Sequence, residues 1–314
     1  MTSGSLFEGG RRPDDHRWFS RMQDGASETA TALRAFAEET HAAHRGLLDD
    51  NFARVFRSRT PEHFSELFYL AALVHAGFVP LPRVTRFDLA FQLAGGHRLL
   101  VEVVTPAPPE RLGEYEERDG FTFCSFGPES RDAALLRLTS AFWSKAKIID
   151  RALREGHARA GDYKVVAISG LRLSQEGEWG LEGFGNPPDF AAAFLPIGSL
   201  EIPIALSRDP SIPPRSGSAR YAYSDTIRRE PQDVERDAFL SGRFSQVDAV
   251  AYTDMELSNV RAERQIGVLH NPTSSWPGPR PIFGLGADYY IESTAAEFSI
   301  RRVPALGESE PQSA

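Results

Sequence analysis

The sequence has few of the features that mark secreted or membrane proteins. Its single cysteine, Cys124, excludes an internal disulfide and is typical of a reducing compartment. No apolar run approaches the roughly 20 residues that a membrane-spanning helix requires. The first 17 residues also lack the apolar segment of a signal peptide. We therefore expect a cytoplasmic protein without a membrane partner.

The chain also lacks an excess of positive charge. Its 314 residues include 43 acidic side chains against 35 lysines and arginines, which gives a net charge of −8. This balance opposes nonspecific attraction of the whole surface to nucleic acid, although it is compatible with a local basic groove. With 41% hydrophobic and 25% charged residues, the composition is that of a globular protein with a sizeable core.

Three regions are expected along the chain. Residues 1–17, rich in glycine, arginine and aspartate, are predicted to be disordered, and so is the acidic tail at 304–314. Residues 18–303 are predicted to form a single domain. Proline, serine, arginine and aspartate are frequent at about 207–243, which predicts an irregular insertion in this domain.

The regular elements are predicted from composition and periodicity. Residues 26–57 read as one helix, and Thr60-Pro61-Glu62 begins a second helix that ends at Gly77. An apolar stripe predicts a third helix at 131–156. The nearly continuous β-branched run at 163–170 predicts a central strand that is buried on both sides. Further strands are predicted at 247–253, at 265–270 and within 288–303.

Residues 86–106 predict a β-hairpin. Two arms of alternating apolar residues flank Gly95 and Gly96, which supply the positive φ of a tight turn. Asp88 and Glu102 are equally distant from Gly95, so we expect them to face each other with Cβ atoms about 4.5–5.5 Å apart. Two carboxylates this close repel unless a cation lies between them or one is protonated. The pair is therefore the first indication of a chemical site.

Two more charged residues interrupt apolar helix surfaces. Glu66 lies within the helix at 60–77, which is apolar almost all round, so it needs a partner or a narrow exposed strip. Lys145 occupies a position of the apolar stripe at 131–156 and should point inward, unless its stem only follows the edge of the stripe. Lys147 lies off that stripe. The order of the elements predicts that Glu66, Asp88, Glu102 and Lys145 meet on one side of a sheet.

In these residues the sequence resembles the PD-(D/E)xK nuclease superfamily. Asp88 and Glu102 match the two strand acids of the family motif, and Glu66 in SELFYLAALVHAG matches the acid often found on its first helix. The resemblance covers about residues 60–170. It implies an α/β fold with a restriction-endonuclease-like core of helix, three-stranded β-meander, helix and strand. An N-terminal helix and a β-rich C-terminal extension would complete the fold.

One position departs from the family pattern. The motif lysine normally follows the glutamate by two residues, where this chain has Val104. Some members of the superfamily carry this lysine on the following helix, where Lys145 is the first candidate and Lys147 the second.

The resemblance implies hydrolysis of phosphodiester bonds in DNA or RNA with Mg²⁺ or Mn²⁺ as cofactor. Asp88, Glu102 and the Val103 carbonyl would bind the metal, and Glu66 would bind it directly or through water. Lys145 would position the hydrolytic water.

Two alternatives remain from the sequence. Because Val104 replaces the motif lysine and the chain is acidic, a catalytically inactive nuclease-like module that binds nucleic acid or another partner is the second hypothesis. Metal-independent hydrolysis by His270 is the third, although His270-Asn271-Pro272 more simply indicates a turn.

Overall fold

Within the residues that the structure describes, eight strands form one mixed sheet, and their spatial order equals their order along the chain. The computed structural model of the protein describes residues 5–108, 114–118, 121–125, 128–173, 187–201, 204–205, 215–216, 220–228, 232–254, 266–293 and 298–304. The strands are β1 (Val79–Pro80), β2 (Leu89–Gln92), β3 (Arg98–Val104), β4 (Tyr163–Ser169), β5 (Ala249–Thr253), β6 (Ile266–His270), β7 (Gly286–Ser293) and β8 (Phe298–Pro304). Strands β3, β4 and β5 are parallel, as are β6 and β7, whereas the other neighbouring pairs are antiparallel.

Helices cover both faces of this sheet. They include α1 (Arg17–Asp24), α2 (Glu28–His44), α3 (Phe52–Phe56), α4 (Thr60–His75) and α5 (Pro128–Arg154). Short 3₁₀ helices occupy Arg45–Leu47, Ala94–Gly96 and Asp189–Ala193. Outside the main sheet, the described residues also form four two-stranded ribbons, which pair Glu114–Arg118 with Phe121–Ser125, Ile197–Glu201 with Arg220–Tyr223, Ile204–Ala205 with Arg215–Ser216, and Thr226–Ile227 with Val234–Glu235.

The alternation of side chains along the strands divides the core into two layers. Leu99 and Val101 of β3 belong to the layer that is covered by α1 to α4. Leu100, between them, belongs to the layer that is covered by α5 and the segment around Phe190. Strand β4 is buried along its whole length, as its β-branched run predicts, because both layers meet at this central strand. The crossover from β3 through α5 to β4 therefore places α5 directly over the hairpin.

A buried tyrosine joins α4 to the sheet. The hydroxyl of Tyr69, a residue 1% exposed, donates a hydrogen bond to the Ile168 carbonyl at 2.8 Å. Tyr69→Phe removes this donor and leaves a buried carbonyl poorly satisfied, so we expect the free energy of unfolding to fall by about 1–2 kcal/mol in urea titration. The control Tyr223→Phe changes a residue that is 75% exposed and should alter stability by less than about 0.5 kcal/mol. Equal effects of the two variants would contradict the assigned role of Tyr69.

The helix predicted at 26–57 is wrong as a single element. The chain leaves α2 at His44, passes through a 3₁₀ turn and begins α3 only at Phe52. Gly46 lowers helix propensity, and the side chain of Asp49 accepts a hydrogen bond from the Asn51 amide at 2.8 Å, which competes with helical hydrogen bonding. Residues 45–51 therefore separate α3 from α2, and the two helices are not continuous.

The segment predicted to be disordered at 1–17 contains core residues where it is described. Leu6 and Phe7 are 2% and 4% exposed. The Arg57 guanidinium holds this segment through Asp15 at 2.7 Å and the Gly10 carbonyl at 2.8 Å. Residues 1–4 and the tail at 305–314 lie outside the described residues.

The described parts of the predicted insertion at 207–243 contain short strands and one buried cation. Arg236 is 3% exposed and bonds to Asp132 of α5 at 3.1 Å and to the Ile197 carbonyl at 2.7 Å. The end of this segment is therefore attached to α5.

Candidate active site

Asp88 and Glu102 lie opposite each other across the hairpin of β2 and β3. The strands pair Leu89 with Val101, and the Asp88 amide continues the ladder with a hydrogen bond to the Val101 carbonyl at 3.1 Å. Gly95 and Gly96 have φ values of 73° and 79°, which residues other than glycine rarely adopt. The register predicted from these two glycines is confirmed.

Lys145 reaches both carboxylates from α5. Its Nζ lies 2.8 Å from Oε2 of Glu102 and 3.4 Å from Oδ2 of Asp88. Oδ2 of Asp88 also accepts a hydrogen bond from the Val103 amide at 2.8 Å, which fixes the carboxylate against the end of β3. The inward orientation predicted for Lys145 is confirmed. Lys147 is exposed and forms no ion pair with a described residue.

Glu66 approaches the same place from the other face of the sheet. The prediction that all four residues lie on one side of the sheet is wrong, because α4 and α5 cover opposite faces. The two helices converge where β3 ends, and the Thr105 hydroxyl there donates to the Ser65 hydroxyl of α4 at 2.9 Å. His63 lies one helical turn before Glu66, and its Nδ1 is 3.0 Å from Oε1 of Glu66.

These side chains line a cavity of about 510 Å³. Its lining includes Glu66, Asp88, Val103 and Lys145, whereas Glu102 is 2% exposed and does not line it. The rest of the lining consists of Asp49, Asn51, Phe52, Arg54, Val55, Arg59, Glu62, His63, Arg83, Val104 and Thr105. A cavity of this size with convergent polar groups has the usual dimensions of a ligand or active site.

Burial and the neighbouring charges shift the protonation of this cluster. Burial, reinforced by the charge of Asp88, raises the pKa of Glu102 to about 8 even though Lys145 opposes the shift. Burial alone would lower the pKa of Lys145, but the two carboxylates more than compensate and raise it. Burial also raises the pKa of Glu66, against the effect of His63. Relative to the unfolded chain, the folded site therefore favours the neutral form of Glu102 and the charged form of Lys145.

The residues present fit a divalent metal ion in their chemistry. Carboxylate oxygens are hard ligands, and Oε1 of Glu102 is buried without a hydrogen-bond partner among the described residues. The contacts of Asp88 with the Val103 amide and with Lys145 are both made by Oδ2, so they do not use Oδ1. The described part of the chain contains no group of three or more His, Cys, Asp or Glu side chains that could hold a metal. The cation that the structure shows beside both carboxylates is Lys145.

His270 lies apart from this cluster. It is the last residue of β6, is fully buried, and contacts Tyr163 at 2.7 Å through Nδ1 and Asp288 at 2.9 Å through Nε2. It does not line the cavity. The strand predicted at 265–270 and the turn after it are confirmed, because β6 ends at His270 and the chain turns at Pro272 and Thr273. The His270 side chain belongs to a buried polar chain between β4, β6 and β7.

Sequence reasoning missed four of the basic side chains that line the cavity. His63 is one helical turn from Glu66, and this i,i+3 spacing is a signal that would have found it. Arg54, Arg59 and Arg83 come from α3, from the residue before α4 and from the loop before β2. No local pattern marks the three arginines as a group, because only the tertiary fold brings them to one cavity.

The fold and the site together define a mixed α/β protein with a carboxylate–lysine cluster at the end of a central parallel strand. Comparison with protein-family models, with curated proteins and with solved structures gave no match. None of the helices in the described ranges is long and apolar enough to cross a membrane.

Proposed function

We propose that the protein is a nuclease that hydrolyses phosphodiester bonds of nucleic acid at this cluster, with Mg²⁺ or Mn²⁺ as cofactor. The observation that carries the proposal is the contact of Lys145, on the helix after the hairpin, with both Asp88 and Glu102. It supplies from α5 the ammonium that Val104 cannot supply from β3. The order α4, β1 to β3, α5, β4 also supports a restriction-endonuclease-like core.

The site residues have distinct roles in this proposal. Asp88, Glu102 and the Val103 carbonyl would hold the metal, which when bound polarises a phosphoryl oxygen and lowers the pKa of water. Lys145 orients the attacking water and stabilises negative charge that develops on the phosphoryl group. Glu66 faces the same cavity and orders the polar side of the site together with His63. The single cysteine supports a reducing compartment such as the cytoplasm as the location.

The test is an assay of DNA and RNA substrates with added Mg²⁺ or Mn²⁺. Asp88→Ala removes a carboxylate that contacts Lys145 and the Val103 amide, and we expect the rate to fall about 10²-fold or more. Asp150→Ala is the matched control, because Asp150 lies on the exposed side of α5 in an ion pair with Arg154. Activity that is unchanged in Asp88→Ala would eliminate this site as the catalytic centre.

A second candidate function is an inactive nuclease-like module that binds nucleic acid. It is favoured by Lys145, whose ammonium already neutralises the carboxylate pair without a metal. This candidate predicts no hydrolysis and no change in Tm with Mn²⁺. A rise in Tm with Mn²⁺ that disappears in Glu102→Gln would exclude it.

A further inference from the structure

The wall of the cavity outside the Lys145 cluster holds three arginines and two acids. Four basic and four acidic side chains line the cavity, whereas the whole chain has 35 basic and 43 acidic side chains. Lys145 lies in the lining together with the acids Glu66 and Asp88. Three guanidinium groups, from Arg54, Arg59 and Arg83, belong to the rest of the lining.

Two of the acids on this wall are neutralised locally. Asp49 forms an ion pair with Arg83, whose Nε also donates to the Phe87 carbonyl at 3.1 Å. Glu62 lies 3.6 Å from Arg172, a residue outside the cavity lining. Arg83 is therefore held by contacts within the protein. The positive charge of the wall that has no acidic partner comes from Arg54 and Arg59.

Arg54 and Arg59 are exposed and have few partners of their own. Nε of Arg54 makes one long contact with Asn51 Oδ1 at 3.4 Å. The side chain of Arg59 forms no hydrogen bond or ion pair with any described residue. Both guanidinium groups are free to bind an oxyanion in the bidentate manner that suits phosphate.

An anionic substrate needs such groups at this site. A phosphodiester that approaches Glu66 and Asp88 is repelled by ionised carboxylates, and the acidic chain as a whole offers no general attraction. Positive charge beside the carboxylates offsets this repulsion without touching the reacting atoms. Contacts to phosphate oxygens fix the position of a nucleic acid but carry no sequence information.

We propose that Arg54 and Arg59 form a backbone subsite that binds a phosphate next to the one that is cleaved, independent of base sequence. This inference rests on the proposed nuclease function, since it assigns the substrate path to that same cavity. The polymer would then run from the carboxylate end of the cavity along α3. The two arginines are positioning residues, because they bind substrate away from the reacting phosphate.

Equilibrium binding tests the subsite apart from catalysis. A fluorescent single-stranded oligonucleotide is titrated in excess chelator with the wild type and the double variant Arg54→Gln/Arg59→Gln. We expect the Kd to rise about tenfold at low salt, and the slope of log K against log salt to fall by about 1.4, from two lost contacts at about 0.7 each. Arg137→Gln, which removes an exposed charge of α5 outside the cavity lining, should leave the slope unchanged.

Hydrolysis with Mn²⁺ gives the second measurement. The double variant should show a raised KM and a kcat within about twofold of the wild type, because it loses binding that is equal in the ground and transition states. Hydrolysis by the wild type with unchanged KM and salt slope in the double variant would overturn the subsite and leave the proposed function standing. Failure of hydrolysis, together with loss of binding in the double variant, would instead reject the nuclease and retain the subsite. No binding of the oligonucleotide by the wild type would overturn the subsite.

Discussion

Lys145→Met is expected to abolish hydrolysis, with kcat lower by about 10²–10³-fold at saturating Mn²⁺. Nζ of Lys145 lies within 3.4 Å of Asp88 and 2.8 Å of Glu102, so no side chain of the cluster is better placed to orient water there. Methionine keeps the apolar stem that packs along α5 but removes the ammonium. The measurement is the initial rate of oligonucleotide cleavage, with circular dichroism to verify the fold.

Lys147→Met is the matched control for this variant. The two lysines are two residues apart on α5, but Lys147 is exposed and only Lys145 contacts the carboxylates. The control should retain activity within about twofold, as expected for a surface substitution. A Lys145→Met enzyme that keeps more than half of the wild-type kcat would remove Lys145 from the mechanism.

The same variant should show a stability defect that depends on pH. Without the ammonium, Asp88 and Glu102 face each other across the hairpin with no cation between them. Breaking a largely buried ion pair in this way costs about 3 kcal/mol when the partner is ionised, but protonation of Glu102 relieves the cost. Urea titrations should therefore show a larger defect at pH 9 than at pH 6. An inactive module should show the same stability defect but no hydrolysis. The two measurements together therefore distinguish the two proposed functions.

The hairpin and the inward lysine could be predicted because local rules determine both. Two glycines set the turn, and the two-residue period of a strand then places Asp88 opposite Glu102. Likewise, the 3.6-residue period of α5 determines that Lys145 interrupts an apolar stripe. In the hairpin two carboxylates face each other, and in α5 a charged residue occupies a position where the periodicity of the helix predicts burial. The sequence alone shows both.

The placement of α4 and the basic wall could not be predicted in this way. Whether a helix covers one face of a sheet or the other depends on the chain connections, and periodicity alone carries no such information. Glu66 was therefore assigned to the right cluster but to the wrong side of the sheet. Arg54 and Arg59 depend on the break after α2, where a turn of the chain at Asp49 outweighs the helix propensity of its neighbours.

Glu102→Gln is expected to stabilise the folded protein at high pH while it removes activity. The pKa of Glu102 is about 8 in the folded state against 4.5 in the unfolded chain, because the folded site buries the carboxyl beside Asp88. Between these pH values the folded state binds more protons than the unfolded state, so the free energy of unfolding decreases as the pH rises. At about 1.4 kcal/mol for each pKa unit, the loss by pH 9 is on the order of 5 kcal/mol. A neutral amide of the same shape avoids this loss.

Urea denaturation from pH 5 to pH 9 measures this effect as the difference between the variant and the wild type. The two proteins should differ least near pH 5, and the variant should gain stability over the wild type as the pH rises toward about 8, after which the difference should level off. Glu155→Gln, at a carboxylate in the turn just after α5 with a side chain 36% exposed, controls for the change in net charge and should shift stability by less than about 0.5 kcal/mol. A constant difference across this range would mean that Glu102 is ionised throughout. The site would then hold two carboxylates and one ammonium at neutral pH, and a divalent ion could bind without releasing a proton.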